Sequence, residues 1–99
     1  MVEYTDRDRR ILGRMRHLLE LFTARECNLR TLVDQLEFQY NSLDVRTDVL
    51  KEKWSLYWGG LEILLATYGD NFRNGDMIKK HLVPLENIIA ELSDSGKSQ

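Results

Sequence analysis

The chain is short of the residues that would give it chemistry of its own. It has one cysteine, Cys27, so no intrachain disulfide can form and no multi-thiolate metal cluster can be built. Its two histidines, His17 and His81, form neither a His-Glu-x-x-His nor a Glu-x-x-His pattern of the kind that seats a metal on helices. No nucleophile–base pair can be assembled, so an enzyme is not expected, and neither is a cofactor. No run of 18 apolar residues exists to cross a bilayer. The opening MVEYTDRDRR lacks the apolar core of a secretory signal, so a cytoplasmic protein is expected. Excess charge is missing too: sixteen acids against fourteen bases leave −2. That argues against a general nucleic-acid binder and is too mild for an acidic nucleic-acid mimic.

Proline and glycine are also scarce, at one and six residues, and alternation of period two is absent. Both point to helix nearly throughout. Hydrophobic residues are 42% and charged residues 30% of 99 positions, the balance of one folded domain and not of a disordered chain. An all-α, compact four-helix domain over residues 1–93 is expected, with a flexible tail over 94–99.

Thr5 with Asp8 three residues on approximates a capping box for the first helix. Ile11, Leu12, Met15, Leu18, Leu19 and Phe22 then recur on one face. TARECN reads as a connection, and Asn28 as the cap of a second helix bearing Leu29, Leu32, Val33, Leu36, Tyr40 and Leu43. Thr47 or Asp48 opens the third helix, and Gly69 is placed to close it as a left-handed cap. Asp76 is expected to cap the fourth, where Pro84 should kink or divide the helix.

The third helix, WSLYWGGLEILLATY at its centre, draws the most attention. Trp54, Trp58, Leu61 and Leu65 fall on one broad face and are expected in the core. Val49, Leu56 and Ile63 recur every seven residues on the other side, flanked by Gly59, Gly60 and Ala66. A helix apolar nearly all round is expected to be enclosed. The third helix is therefore expected to be central, its two glycines letting a neighbour approach the backbone. If the second line is left open, it becomes a surface for a second copy or another protein.

Off the core, Phe38 points away from the stripe of its own helix, on a side shared with Gln35, and Phe72 lies in a loop. Both are candidate partner contacts, as is Glu62, alone in an apolar run and a possible half-buried acid. Arg7, Arg10 and Arg14 fall on one flank of the first helix, with Arg9 and Arg16 on the other. Asp6 and Asp8 interleave with them, so covered apolar edges and salt bridges to neighbouring helices or a partner outweigh an anion-binding surface. Arg10 and Arg14 join the partner-binding candidates. Cys27 reads as a small half-buried residue at a turn, and His81 as a hydrogen-bonded interior or edge histidine.

The segments NLRTLVDQLEFQYNSL, WGGLEILLATYGD and HLVPLENIIAEL together resemble small helical immunity proteins of bacterial polymorphic and contact-dependent toxin systems. The matching positions are Leu32, Leu36, Glu37, Trp58, Gly59, Leu61, Glu62, Ala66 and Asp70; Cys27, Gly60 and Pro84 depart from the pattern. The resemblance implies a non-catalytic protein that binds a cognate toxin domain and neutralises it. Two alternatives stand beside it: a homo-oligomeric structural or adaptor module using the Val49–Leu56–Ile63 line, and a nucleic-acid-binding regulator using the first-helix arginines.

Overall fold

A computed structural model describes residues 5–44 and 47–97, with side chains to residue 93. Each helix begins where a short polar side chain replaces a missing backbone partner. Thr5 Oγ1 accepts the Asp8 N–H at 3.1 Å and opens α1, Asp6–Thr23. Asn28 Oδ1 accepts the Thr31 N–H at 2.9 Å and opens α2, Leu29–Ser42. Thr47 Oγ1 accepts the Leu50 N–H at 3.1 Å and opens α3, Asp48–Tyr68. For α4, Gly75–Lys97, the cap is Asn74 and not Asp76: its Oδ1 accepts the Met77 N–H at 3.2 Å, and Asp76 sits in the first turn. There its carboxylate still favours the positive end of the helix dipole.

The helix ends are equally specific. Beyond α1, the Arg25 N–H reaches Phe22 O at 3.1 Å and the Glu26 N–H reaches Leu21 O at 2.8 Å. This is a Schellman closure. Its left-handed residue is Arg25, at φ 64°, where glycine would be the low-cost choice. Gly69 closes α3 with φ 95° but ψ 178°. The positive φ agrees with the sequence, although the extended ψ is not that of a left-handed cap. This region of backbone space is open essentially to glycine alone. Pro84 does not divide α4, which runs unbroken to Lys97. The end of the chain is thus helical well past residue 93, and residues 98–99 lie outside those described.

The four helices form a ring: α1 packs on α2 and α4, and α3 packs on α2 and α4, while the backbones of the diagonal pairs stay apart. The core is the shared interior, built from Ile11, Leu12, Met15, Leu19 and Phe22 of α1, the whole expected stripe of α2, and Leu50, Trp54, Leu61 and Leu64 of α3. Ile78, Leu82, Leu85, Ile88 and Ile89 complete it from α4. Tyr40 and Trp54 stack with ring centroids 4.4 Å apart, and Trp58 Nε1 donates to Val33 O at 3.0 Å, so both tryptophans lock α3 onto α2.

The expectation of a central, enclosed third helix is therefore corrected. In a four-membered ring every helix has two neighbours and one open face. Val49, Leu56 and Ile63 occupy the open face of α3, at 63%, 65% and 66% exposure. Trp54 and Leu61 are buried as expected; Trp58 and Leu65 are half-buried and pack against the core's edge. The glycine pair splits. A β-carbon at Gly60 would lie 2.8 Å from Cγ of His81 and closer still to Cε1 and Nδ1, whereas one at Gly59 would meet nothing within 4 Å. Gly60 admits the imidazole of α4, and Gly59 faces outward beside the exposed line.

Candidate functional site

Two surfaces stand out among the described residues. The first is the outer face of α3. Asp48 to Tyr68 forms nearly six turns of helix whose inward face is fixed by Trp54, Leu61 and Leu64, and the heptad spacing of Val49, Leu56 and Ile63 then sets them in one row on the far side. Gly59, half-exposed with no neighbour over its α-carbon, lowers the relief between Leu56 and Ile63. Glu52, Lys53 and Glu62 are exposed around the row. An apolar strip with a charged rim is the composition of a protein-docking surface. Glu62 lies at this rim in water, which corrects the half-buried acid expected from its apolar surroundings.

The second surface is the groove between α1 and α2. It is a cavity of about 530 Å³ lined by Arg10, Gly13, Arg14, His17, Leu18, Gln35 and Gln39. It continues into a second of about 300 Å³ that adds Arg7, Ile11, Phe38 and Ser42. Four of the six partner candidates read from the sequence, Arg10, Arg14, Gln35 and Phe38, meet here. Phe38 is 65% exposed. Helix α1 presents Arg7, Arg10 and Arg14 as a row because its buried stripe lies to one side of them. Arg7 reaches Asp44 at 3.8 Å and Arg9 reaches Asp6 at 3.7 Å. No ion pair forms at Arg10 or Arg14 with the described residues. The expected network of interhelical salt bridges is thus thin, and these two guanidiniums stay available to a carboxylate from outside.

Phe72 belongs to neither surface. It is half-buried against the core and stacked on Tyr68, centroids 4.4 Å apart, so its reading as a loop contact is corrected. The loop it sits in is tied down by polar contacts. Asp70 O accepts the Leu29 N–H at 2.9 Å, and Asp70 Oδ1 accepts Arg30 Nε at 2.9 Å, which satisfies the start of α2.

Two residues hold the framework: Arg73, which the sequence did not single out, and Asp8, which it offered only as half of an approximate capping box. Arg73 donates through Nη1 to Phe22 O at 2.7 Å and through Nη2 to Cys27 O at 2.5 Å, with its guanidinium carbon 4.4 Å from the Phe22 ring centroid. It pins the α1–α2 corner from a loop some 50 residues away, at a sequence separation of 51 from Phe22. No local pattern announces such a contact. Asp8 is fully buried, its Oδ1 accepting the Asp44 N–H at 2.8 Å. The carboxylate thus fastens the end of α2 to the start of α1 instead of turning back on the Thr5 N–H as in a full capping box. Cys27 is a free, half-buried thiol. Burial pushes its pKa up, and the neighbouring Arg73 charge lowers it in part.

No helix among the described residues is long and apolar enough to cross a membrane. The chain matches no family model, no curated protein and no solved structure.

Proposed function

We propose that this protein is a non-catalytic protein-binding module of the immunity type, a cytoplasmic protein that holds a cognate toxin domain and blocks its action. One observation carries the reading: three large aliphatic side chains, Val49, Leu56 and Ile63, stand 63–66% exposed in a single row on one helix. Isolated exposed leucines are ordinary, but three exposed aliphatic side chains aligned at every second turn of one helix on a small domain favour a contact surface. Removing it from water against a partner supplies apolar burial at about 25 cal/mol per Å² before the cost of association. Glu52, Lys53 and Glu62 at the rim supply selectivity of charge.

The test is to look for a toxin domain encoded beside this protein's gene, whose absence counts against the immunity reading, and to coexpress the two. Wild-type protein should protect the host and copurify with the toxin domain. Leu56→Asp and Ile63→Asp should abolish both while leaving the helical circular-dichroism spectrum and melting temperature intact. Protection that survives both substitutions removes the α3 surface from the account; failure of the wild-type protein to protect or to bind removes the immunity reading. The same row also suits a second copy of the chain. Sedimentation at micromolar concentration separates the two, since a homo-oligomer through α3 would dissociate on Leu56→Asp with no toxin domain present.

A further inference from the structure

We propose a second, independent site: the corner between the end of α1 and the start of α4 binds a phosphate-class oxyanion through Arg25, Arg73 and Lys79. A cavity of about 180 Å³ lies there, lined by these three cations together with Phe22, Thr23, Gly75, Ile78 and Leu82. None of the three forms an ion pair with the described residues, although Glu26 and Asp76 are close in sequence. Three uncompensated positive charges around one small cavity are unexpected in a chain of net charge −2.

One member of the site, Arg73, is fixed in advance, while Arg25 and Lys79 are exposed. Two of the five N–H groups of Arg73 are held by Phe22 O and Cys27 O and its plane rests over the Phe22 ring, leaving further donors fixed in direction. Arg25 keeps a long cationic side chain at φ 64°, a backbone conformation that favours glycine and that the Schellman closure alone would fill more cheaply.

The dimensions select the ligand. Phe22, Ile78 and Leu82 give the cavity an apolar floor, so the ligand is set by its size and by the three cations. The cavity holds only a handful of water volumes, too few for a folded acidic segment. A compact tetrahedral dianion, inorganic phosphate or the head of a soluble phosphomonoester, matches both the space and the bidentate habit of guanidinium groups.

Thermal denaturation in 10 mM inorganic phosphate, in glycerol phosphate, and in sodium chloride of equal ionic strength tests this. A millimolar site raises the melting temperature in phosphate over chloride by about 4–8 °C. An equal rise in glycerol phosphate means that the site accepts an ester, and a rise with inorganic phosphate alone means that it takes the free ion. Arg25→Gly should raise the melting temperature in chloride yet lose most of the phosphate increment, an inversion that a purely structural arginine would not give. Lys79→Gln should lose the increment with its stability in chloride unchanged. Equal melting in phosphate and chloride for the wild type, or an increment kept in full by both variants, overturns the proposal.

Discussion

Alanine substitution at the adjacent glycines of α3 should move stability in opposite directions. In a helix interior, glycine costs about 1 kcal/mol relative to alanine. At Gly59 nothing lies within 4 Å of the added methyl group, so that helix term acts alone. Gly59→Ala should stabilise the domain by about 1 kcal/mol, or about 4–8 °C in melting temperature for a chain of this size. At Gly60 the same gain meets the ring of His81, whose Cγ would be 2.8 Å away with two other ring atoms nearer. The imidazole belongs to α4 and is half-buried, with Ile78, Leu82 and Leu85 near it buried, so the ring must swing to another rotamer or α4 must shift on α3. Overpacking of that kind costs about 1–3 kcal/mol, which outweighs the helix gain. Gly60→Ala should therefore lower stability by up to about 2 kcal/mol. Urea denaturation followed by far-UV circular dichroism measures both. Adding His81→Ala removes the obstacle, so Gly60→Ala in that background should regain about 1 kcal/mol relative to His81→Ala alone. Two glycine substitutions of the same sign, or a Gly60→Ala penalty that persists without the imidazole, would refute the reasoning.

Asp8→Ala should destabilise by about 1–3 kcal/mol in urea denaturation, because the Asp44 N–H loses a charged acceptor in a fully buried setting. Arg73→Leu should cost about 2 kcal/mol through the loss of its two carbonyl contacts and its stacking on Phe22, and should speed alkylation of Cys27 by loosening the corner. In the wild type, the pH midpoint of Cys27 alkylation should lie above that of an unhindered thiol, since burial outweighs the Arg73 charge. A thiol whose folded pKa is raised adds stability below its unfolded pKa and loses it as pH rises through the folded value, so this contribution should vanish in the alkaline range.

The sequence made visible whatever depends on neighbours along the chain. Thr5, Asn28 and Thr47 cap the helices as their positions suggest, and every member of the α2 stripe, Leu29 through Leu43, is buried. Periodicity also separated the two faces of α3, although Trp58 and Leu65, expected in the core, lie only at its edge and Tyr68 is exposed. What it could not decide is which of them the other helices cover. An apolar row has the same spacing whether a third neighbour lies over it or water does, and the ring arrangement leaves each helix one open side. The same limit explains Glu62, exposed at the rim of that side, and Phe72, drawn inward by Tyr68. In the α1–α2 groove, Arg10, Arg14, Gln35 and Phe38 came together because each had been placed off its helix's apolar stripe, and two adjacent helices turn those flanks toward each other. Arg73 escaped notice because its partners are remote in sequence, and Asp8, read as half of a capping box, bonds instead to a connection 36 residues away.

Carbene footprinting of α3 at submicromolar concentration is the most direct test, because the proposed binding of a protein partner depends on the Val49–Leu56–Ile63 row being open in the isolated chain. Leu56 and Ile63 should label as heavily as Phe38, and Leu61 and Leu64 hardly at all. Protection of Leu56 and Ile63 to the level of Leu61, unchanged on further dilution, would mean that the chain covers this row itself and has no such surface to offer.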